Sequence, residues 1–545
     1  MMAELYFGGD IITMERETDN PEAVLITSGK IVYVGALAEA KRIAAKLKGE
    51  NLTEIDLKGH TLMPSFIDPH GHISLVAQFS SFCDLSECTT FEEIVHTLMM
   101  YKEENTISSD GIILGNGYDH NFLAEQEHPT KQVLDRVSAE IPIYIFHTSG
   151  HMGVANSALL ELAAVTKETP NPQGGMFGRD AEGNPNGYIE ETSAIAKVVT
   201  AAYTRIKGDF VQQMLDAQQI YLQNGITTVQ DGASGYQTLE GLTAIAKNHL
   251  YKIDVISYVM TDDFEKAVED YGTYFQQYQG RFKIGGAKIV LDGSPQGKSA
   301  WLLEPYEGES EYCGYPTHRT DEVIAATEAA VKGRYQLLAH CNGDAASEQF
   351  ISSYAHAVKG AERMGESIEE IMDLRPVMIH CQTVREEQLD RMKELNMIPS
   401  IFVAHTYYWG DVHLKNLGAV RGARISPVKS ALDRGLVYNF HQDPPVLQPN
   451  IMQTVWCAVN RQTRSGRPIG PEQCIGVYDA LKGVTINGAY AYHEEEQKGS
   501  LSVGKLADMV VLDQNPLKID KMQIRGIRVL ETLKEGESVW VGDVV

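Results

Sequence analysis

The segment Pro64-Ser-Phe-Ile-Asp68-Pro-His70-Gly-His72 carries two histidines at i and i+2. On an extended backbone this spacing turns both imidazoles to one side, so both can reach a single cation. Gly71 between them lets the backbone come close. His-x-His is a weak signal alone, but here it follows an apolar run of strand length. Two later runs end in the same way, Leu337-Leu-Ala-His340 and Val377-Met-Ile-His380, followed by Cys341-Asn-Gly-Asp344 and Cys381-Gln382. Leu436-Val-Tyr-Asn-Phe-His441-Gln-Asp443 places a carboxylate after another such run. Gly285-Gly-Ala-Lys288-Ile-Val-Leu-Asp292 puts a lysine inside an apolar strand, where desolvation is costly unless the amine is paired or chemically modified. The chemistry this set could do is that of a bound cation acting on water. The competing reading makes each histidine a hydrogen-bonded core residue and Lys288 a plain lysine paired with Asp292 or Glu191.

To position these residues the chain needs a repeated frame. Strand-length apolar runs lie at Met63–Ile67, Ile226–Gln230, Asp254–Val259, Gly286–Leu291, Gln336–Ala339, Pro376–Ile379, Ile398–Phe402 and Leu436–Phe440. Helical stretches separate them. One is Ser367–Asp373, opened by the capping box Ser367-x-x-Glu370, and another is Arg385–Leu395, with Leu389, Met392 and Leu395 at helical spacing. Non-alternating strands joined through helices predict parallel pairing, and eight such units predict a (β/α)8 barrel across 61–499. In that fold reactive groups sit at the C-terminal ends of the strands.

The interval between the first two strands is too long for a loop. It contains a helix start at Thr90-x-x-Glu93, the apolar run Ile141–Phe146 and the turn-rich stretch Thr169–Asn186, which reads as an exposed lid or hairpin. Residues 77–200 are therefore expected to form an insertion over the barrel mouth. Short β-rich runs at both ends (Leu5–Thr13, Ala23–Thr27 and Lys30–Val34; Asp508–Leu512, Ile527–Thr532 and Ser538–Val541) predict a small β-sandwich domain from 1–60 and 500–545.

The composition of the 545 residues, 43% hydrophobic and 22% charged, is that of a globular protein. A formal net charge of −26 repels phosphate backbones and argues against a general nucleic-acid partner. No run of 18 apolar residues predicts a membrane span, and Glu4 and Asp10 do not suit a signal peptide. Seven dispersed cysteines do not form a disulfide framework, so a cytoplasmic setting is expected. The pair Cys83-x4-Cys88 has no matching pair with which to hold a metal.

Two histidines, a lysine, two histidines and an aspartate on strands one, four, five, six and eight resemble the metal-dependent amidohydrolase superfamily. More narrowly, the chain resembles the amidohydrolase-3 branch that includes N-substituted formamide deformylases. The likeness runs nearly end to end. It includes Gly225-Ile-Thr-Thr-Val-Gln-Asp231, Asp292-Gly-Ser294, His340-Cys-Asn-Gly-Asp344, His151-Met-Gly-Val-Ala-Asn156-Ser157 and the closing stretch Gly499–Asp513.

The resemblance implies zinc or another divalent metal, one or two ions per chain, held by His70, His72, His340, His380 and Asp443. Lys288 would bridge two ions as a carbamate, with Glu190 and Glu191 as alternative bridging groups. Asp443 would also take the proton from the attacking water. The branch often has Ser before this aspartate, whereas Gln442 and His441 precede it here, which changes the groups that orient it. The usual Trp-Asp becomes Tyr118-Asp119, so Tyr118 would supply the aromatic wall.

A small-molecule substrate is the expected partner, with a homodimer left open. Tyr118, His151, Asn156, His405, Tyr407, Tyr408 and Trp409 could line its pocket, and Arg424 could meet a substrate carboxylate or form a surface ion pair. The expected reaction is hydrolysis of an amide or formamide C–N bond by metal-activated water. The alternatives are an inactive regulatory or binding protein on the same barrel, or a metal-dependent hydrolase or decarboxylase acting on a different bond.

Overall fold

Eight all-parallel strands form one sheet in sequence order, as expected when each strand must return through a helix to the same edge. They are β1 (Phe66–Ile67), β2 (Ile226–Ser234), β3 (Asp254–Met260), β4 (Phe282–Val290), β5 (Gln336–Cys341), β6 (Val377–His380), β7 (Ile398–Ile401) and β8 (Asn439–Phe440). The computed structural model describes residues 2–47, 51–205 and 208–542. The outer limits of the expected β-domain, residue 1 and residues 543–545, lie outside the described residues. The segments leaving β1 and β8 are hydrogen-bonded, His72 N–H donating to Pro444 O at 2.8 Å, and the sheet forms a TIM-like barrel. A side chain at Gly71 would come within 2.9 Å of Pro444 Cδ and 3.0 Å of Asp68 Oδ2, so the junction requires glycine there.

The expected first strand, Met63–Ile67, is divided between two sheets. Thr61–Pro64 pairs antiparallel with Met509–Leu512, and only Phe66–Ile67 enters the barrel. Pro64 has no N–H to continue a ladder, and Ser65 N–H turns to Asp508 O at 3.0 Å. The helix expected at Ser367 forms at Ile368–Met372 with Ser367 accepting from Glu370 N, and the Thr90 cap opens Phe91–Glu104.

Contacts divide the chain into Met1–Ser74 with Leu215–Val545, and Leu75–Met214. In the first unit, segments from both ends of the chain build two sheets. Lys30–Gly35, Ala23–Thr27, Met2–Phe7 and Asn51–Asp56 form one. Asp10–Ile11, Thr61–Pro64, Met509–Leu512, Val529–Lys534 and Glu537–Val541 form the other. Tyr6, Val24 and Ile31 of the first pack with Leu62, Met509 and Leu533 of the second. The Leu75–Met214 unit contains a six-stranded mixed sheet whose order could not be read from the sequence. Met176–Arg179 and Pro185–Glu190 form a hairpin in it. Among the described residues, no helix is long and apolar enough to cross a membrane.

The start of the barrel strands holds a buried ion network. Lys498 Nζ lies 2.5 Å from Asp254 Oδ2 and 2.7 Å from Glu494 Oε2. Lys534 Nζ lies 2.6 Å from both Asp254 and Asp508, and Lys283 Nζ lies 2.6 Å from Glu494. Burial alone would raise Asp254, but Lys498 and Lys534 hold its carboxyl well below the usual range.

Candidate metal centre

The C-terminal strand ends converge, as the barrel requires. His70 and His72 follow β1, Lys288 lies in β4, His340 in β5, His380 ends β6 and Asp443 follows β8. Asp443 Oδ1 faces His70 Nε2 at 3.3 Å and His72 Nε2 at 3.1 Å, and Asp443 Oδ2 lies 3.9 Å from His380 Nε2. Lys288 Nζ is 3.4 Å from His70 Nε2. The His340 and His380 rings are 4.5 Å apart between centroids. His380 and Asp443 both adopt positive φ (76° and 56°), an uncommon backbone region for residues other than glycine and one that clusters at functional sites.

The ring tautomers can be followed outward. Gln230 donates through Nε2 to Pro69 O (2.8 Å) and Tyr492 OH (3.2 Å), and Tyr492 OH donates to Asp68 O (3.0 Å). The amide oxygen of Gln230 therefore faces His70 Nδ1 at 2.6 Å and accepts its proton. His70 Nε2 is left with a lone pair aimed toward a carboxylate oxygen 3.3 Å away. Burial, then Lys288, hold His70 well below the ordinary imidazole range, so a second proton does not relieve this opposition. A cation between the two groups does. The donor set, imidazole nitrogen and carboxylate oxygen, suits a divalent ion such as zinc.

The other ligand candidates are anchored too. His340 Nδ1 lies 3.1 Å from Asp292 Oδ1, and Asp292 also accepts from the backbone N–H groups of Asn342, Gly343 and Trp301. The competing reading, a plain Lys288 paired with Asp292, is not what forms, because that carboxylate is engaged by His340 and three backbone N–H groups. Burial pushes the Lys288 amine down to about 8. His380 Nδ1 faces His441 Nε2 at 3.2 Å, and His441 Nδ1 faces Ser400 Oγ at 3.0 Å. Burial, then the neighbouring His340 and His441 rings, hold His380 far below its ordinary pKa. For Asp443 burial works upward, but the His70 and His72 rings dominate and keep the carboxylate ionised.

The model of the amidohydrolase family matches residues 53–540. The chain belongs to the amidohydrolase family. It is similar to the N-substituted formamide deformylase of Arthrobacter pascens, 26% identical over 98% of this chain and 97% of that protein. It is also similar to a Bacillus subtilis protein named "Putative amidohydrolase YtcJ", 24% identical over 99% of both chains. The crystal structure of an uncharacterized metal-dependent hydrolase from Pyrococcus horikoshii has the same fold. Its TM-score is 0.76 at 24% identity, over 95% of this chain and 99% of that one. As an amidohydrolase this protein is a metal-dependent hydrolase.

Not every expected site residue joins the cluster. His405 packs on Phe402 (4.5 Å) and Trp409 (4.6 Å), and Phe402 is 5.1 Å from the His441 ring, so His405 stands beside the histidine cluster. Arg424 points its guanidinium to Glu386 at the surface, 2.5 Å away. Asn156 requires correction as a substrate contact. Its oxygen accepts from Ile143 and Leu159 N–H and its nitrogen donates to Ser138 and Ile141 carbonyls, so a helix cap consumes the whole side chain. Tyr118 is buried with its hydroxyl 3.0 Å from His128 Nδ1, and His151 Nδ1 lies 2.8 Å from Glu191 Oε2. Gln230, Ser400 and Tyr492 were not singled out by their sequence. Gln230 closes a predicted strand, which was the available signal for it.

Proposed function

We propose that the protein hydrolyses an amide- or formamide-type C–N bond of a small molecule. The observation that carries this reading is the lone pair of His70, fixed by Gln230, opposing the Asp443 carboxylate beside His72 and His380. A divalent ion, zinc by its ligand type, would be held by His70, His72 and Asp443, with His340 and His380 completing one shell or holding a second ion, and would supply Lewis acidity for activating water and polarising a carbonyl.

The chain's own residues do the rest. Asp443, ionised and buried at the centre, accepts a proton from the attacking water. The water oxygen bonds to the carbonyl carbon, the C–N bond breaks, and the same proton passes to the departing nitrogen. Gln230, Asp292 and His441 hold the imidazoles in the tautomers that leave lone pairs inward. Lys288, with its amine near 8, is poised to react in its neutral form with carbon dioxide, gaining an N–C bond and losing a proton to become an oxygen ligand. Phe402, His405 and Trp409 form an aromatic wall suited to an apolar acyl or N-substituent.

The test pairs elemental analysis of the purified protein with a screen of N-formyl and N-acyl amines. Asp443→Asn should lower kcat by about 10²–10⁴-fold on any substrate found, with the fold retained. Wild-type turnover in that variant, or a metal-free wild-type protein that turns over equally well, would reject the mechanism.

A further inference from the structure

The unit Leu75–Met214 contains a second group of potential ligands. Strand Ile113–Tyr118 runs parallel to Ile143–His147, and the two end together, His147 in register with Tyr118 after an irregularity between Phe146 and His147. Asp119 and His120 follow the first strand directly. This repeats the logic of the barrel, in which ligands stand where neighbouring parallel strands stop.

We propose that Asp119, His120 and His147 form a second metal site, for a borderline divalent ion of the zinc type. His120 Nδ1 lies 3.1 Å from His147 Nε2, His147 Nε2 lies 3.3 Å from Asp119 Oδ1, and His120 Nδ1 lies 3.8 Å from Asp119 Oδ1. A point equidistant from the corners of a triangle with these sides lies about 2.0 Å from each atom, the bond length of zinc to imidazole or carboxylate. Two imidazoles and one carboxylate are ligands that zinc, cobalt and iron accept, and a three-ligand site leaves a position open.

Each ligand is held by neighbours. Asn121 N and Nδ2 both donate to Asp119 Oδ1 at 2.9 Å and fix the carboxylate. His128 stacks on His120 with centroids 3.9 Å apart, and its Nδ1 is 3.0 Å from Tyr118 OH. Ser149 presents to His147 Nδ1 both its hydroxyl, at 2.9 Å, and its backbone N–H, at 3.1 Å. An ion at Nε2 places the ring proton on Nδ1, where the hydroxyl accepts it and the amide contact is given up. Without an ion, the amide contact and the opposite tautomer hold a plain Asp119–His147 hydrogen bond. The two states therefore differ in which nitrogen carries the proton.

The 545-residue chain, stripped and then reconstituted with zinc, tests this by counting ions per chain. His120→Gln, at a partly exposed position, should bind one zinc fewer than the wild type, and Asp119→Asn, which keeps the local turn, should lose the same ion. Whatever ions the variant His72→Ala/Asp443→Asn retains, adding His120→Gln should remove one and only one of them, separating this site from the barrel centre. Cobalt added to the His72→Ala/Asp443→Asn protein should give a visible d–d band that falls by one bound cobalt per chain once His120→Gln is included. Equal zinc counts in folded His120→Gln or Asp119→Asn and in the wild type would overturn the proposal. So would a barrel variant that binds neither zinc nor cobalt.

Discussion

The two ends of the barrel bury ionisable groups in opposite ways. At the strand starts, Lys283, Lys498 and Lys534 interleave with Asp254, Glu494 and Asp508 at 2.5–2.7 Å, so opposite charges meet directly. At the strand ends, His70, His340, His380 and His441 crowd together, each drawn out of water. Their outer nitrogens are bonded to Gln230, Asp292, His441 and Ser400, while Asp443 and Lys288 face them from within. The first end is complete in the polypeptide alone. The second sets the His70 lone pair against the Asp443 carboxylate at 3.3 Å, and the polypeptide's own cationic group there, Lys288, approaches no closer than 3.4 Å to that nitrogen. Burial is equal, so charge pairing rather than depth distinguishes a structural cluster from a reactive one.

Lys498→Met is the largest perturbation of this contrast. It leaves Asp254 with Lys534 and Arg281, and Glu494 with Lys283, so the expected destabilisation is about 3 kcal/mol, the lower range for breaking a buried pair. Metal content should not change. The pH dependence follows from linkage. Asp254 is depressed in the folded state, so its contribution is present above the ordinary carboxylate pKa of 3.8 and is lost as pH falls toward the depressed value. His70 and His380 are also depressed from 6.5, so in metal-free protein the unfolded chain takes up protons first and stability declines from about pH 6.5 downward. Urea midpoints of metal-free protein should thus fall in two windows. Lys498→Met should converge with the wild type only in the lower one. Convergence already at pH 6 would mean that the two ends are not separate.

This contrast also explains what could be read in advance. His70, His72, His340, His380 and Asp443 were legible because each stands where an apolar run stops, and in a barrel such ends meet. Lys288 was conspicuous because its neighbours are apolar. The opposite end was not legible, because Lys498 and Lys534 reach Asp254 across more than two hundred residues, and a charged side chain in sequence reads as solvated surface. The split of Met63–Ile67 came from Pro64, which interrupts the ladder without interrupting the apolar run. Asn156 was misleading in another way, since asparagine caps helices as readily as it binds ligands, and only its four backbone partners decide between the two.

A smaller effect is expected within the reactive end itself. His441 touches His380 rather than Asp443, and with Ser400 it fixes which His380 nitrogen carries the proton. His441→Ala should weaken metal binding about 10–100-fold, measured by chelator competition, with little change in the urea midpoint at neutral pH. His441→Gln, whose amide oxygen can accept the same proton, should recover part of that loss. Unchanged affinity in His441→Ala would reduce the imidazole to packing and would confine the reactive end to the groups facing Asp443.

The smallest effect belongs to the surface. Arg424 and Glu386 are both about two-fifths exposed and form a pair of a kind that contributes about 0–1 kcal/mol. Glu386 also accepts from Arg434 at 2.7 Å, so its charge stays matched when Arg424 is removed. Arg424→Ala should therefore leave KM, kcat and metal content within error and shift the urea midpoint only slightly. A rise in KM confined to substrates bearing a carboxylate would instead show that the guanidinium leaves Glu386 when an anion binds. The contrast between paired and unpaired charge would then extend to the protein surface.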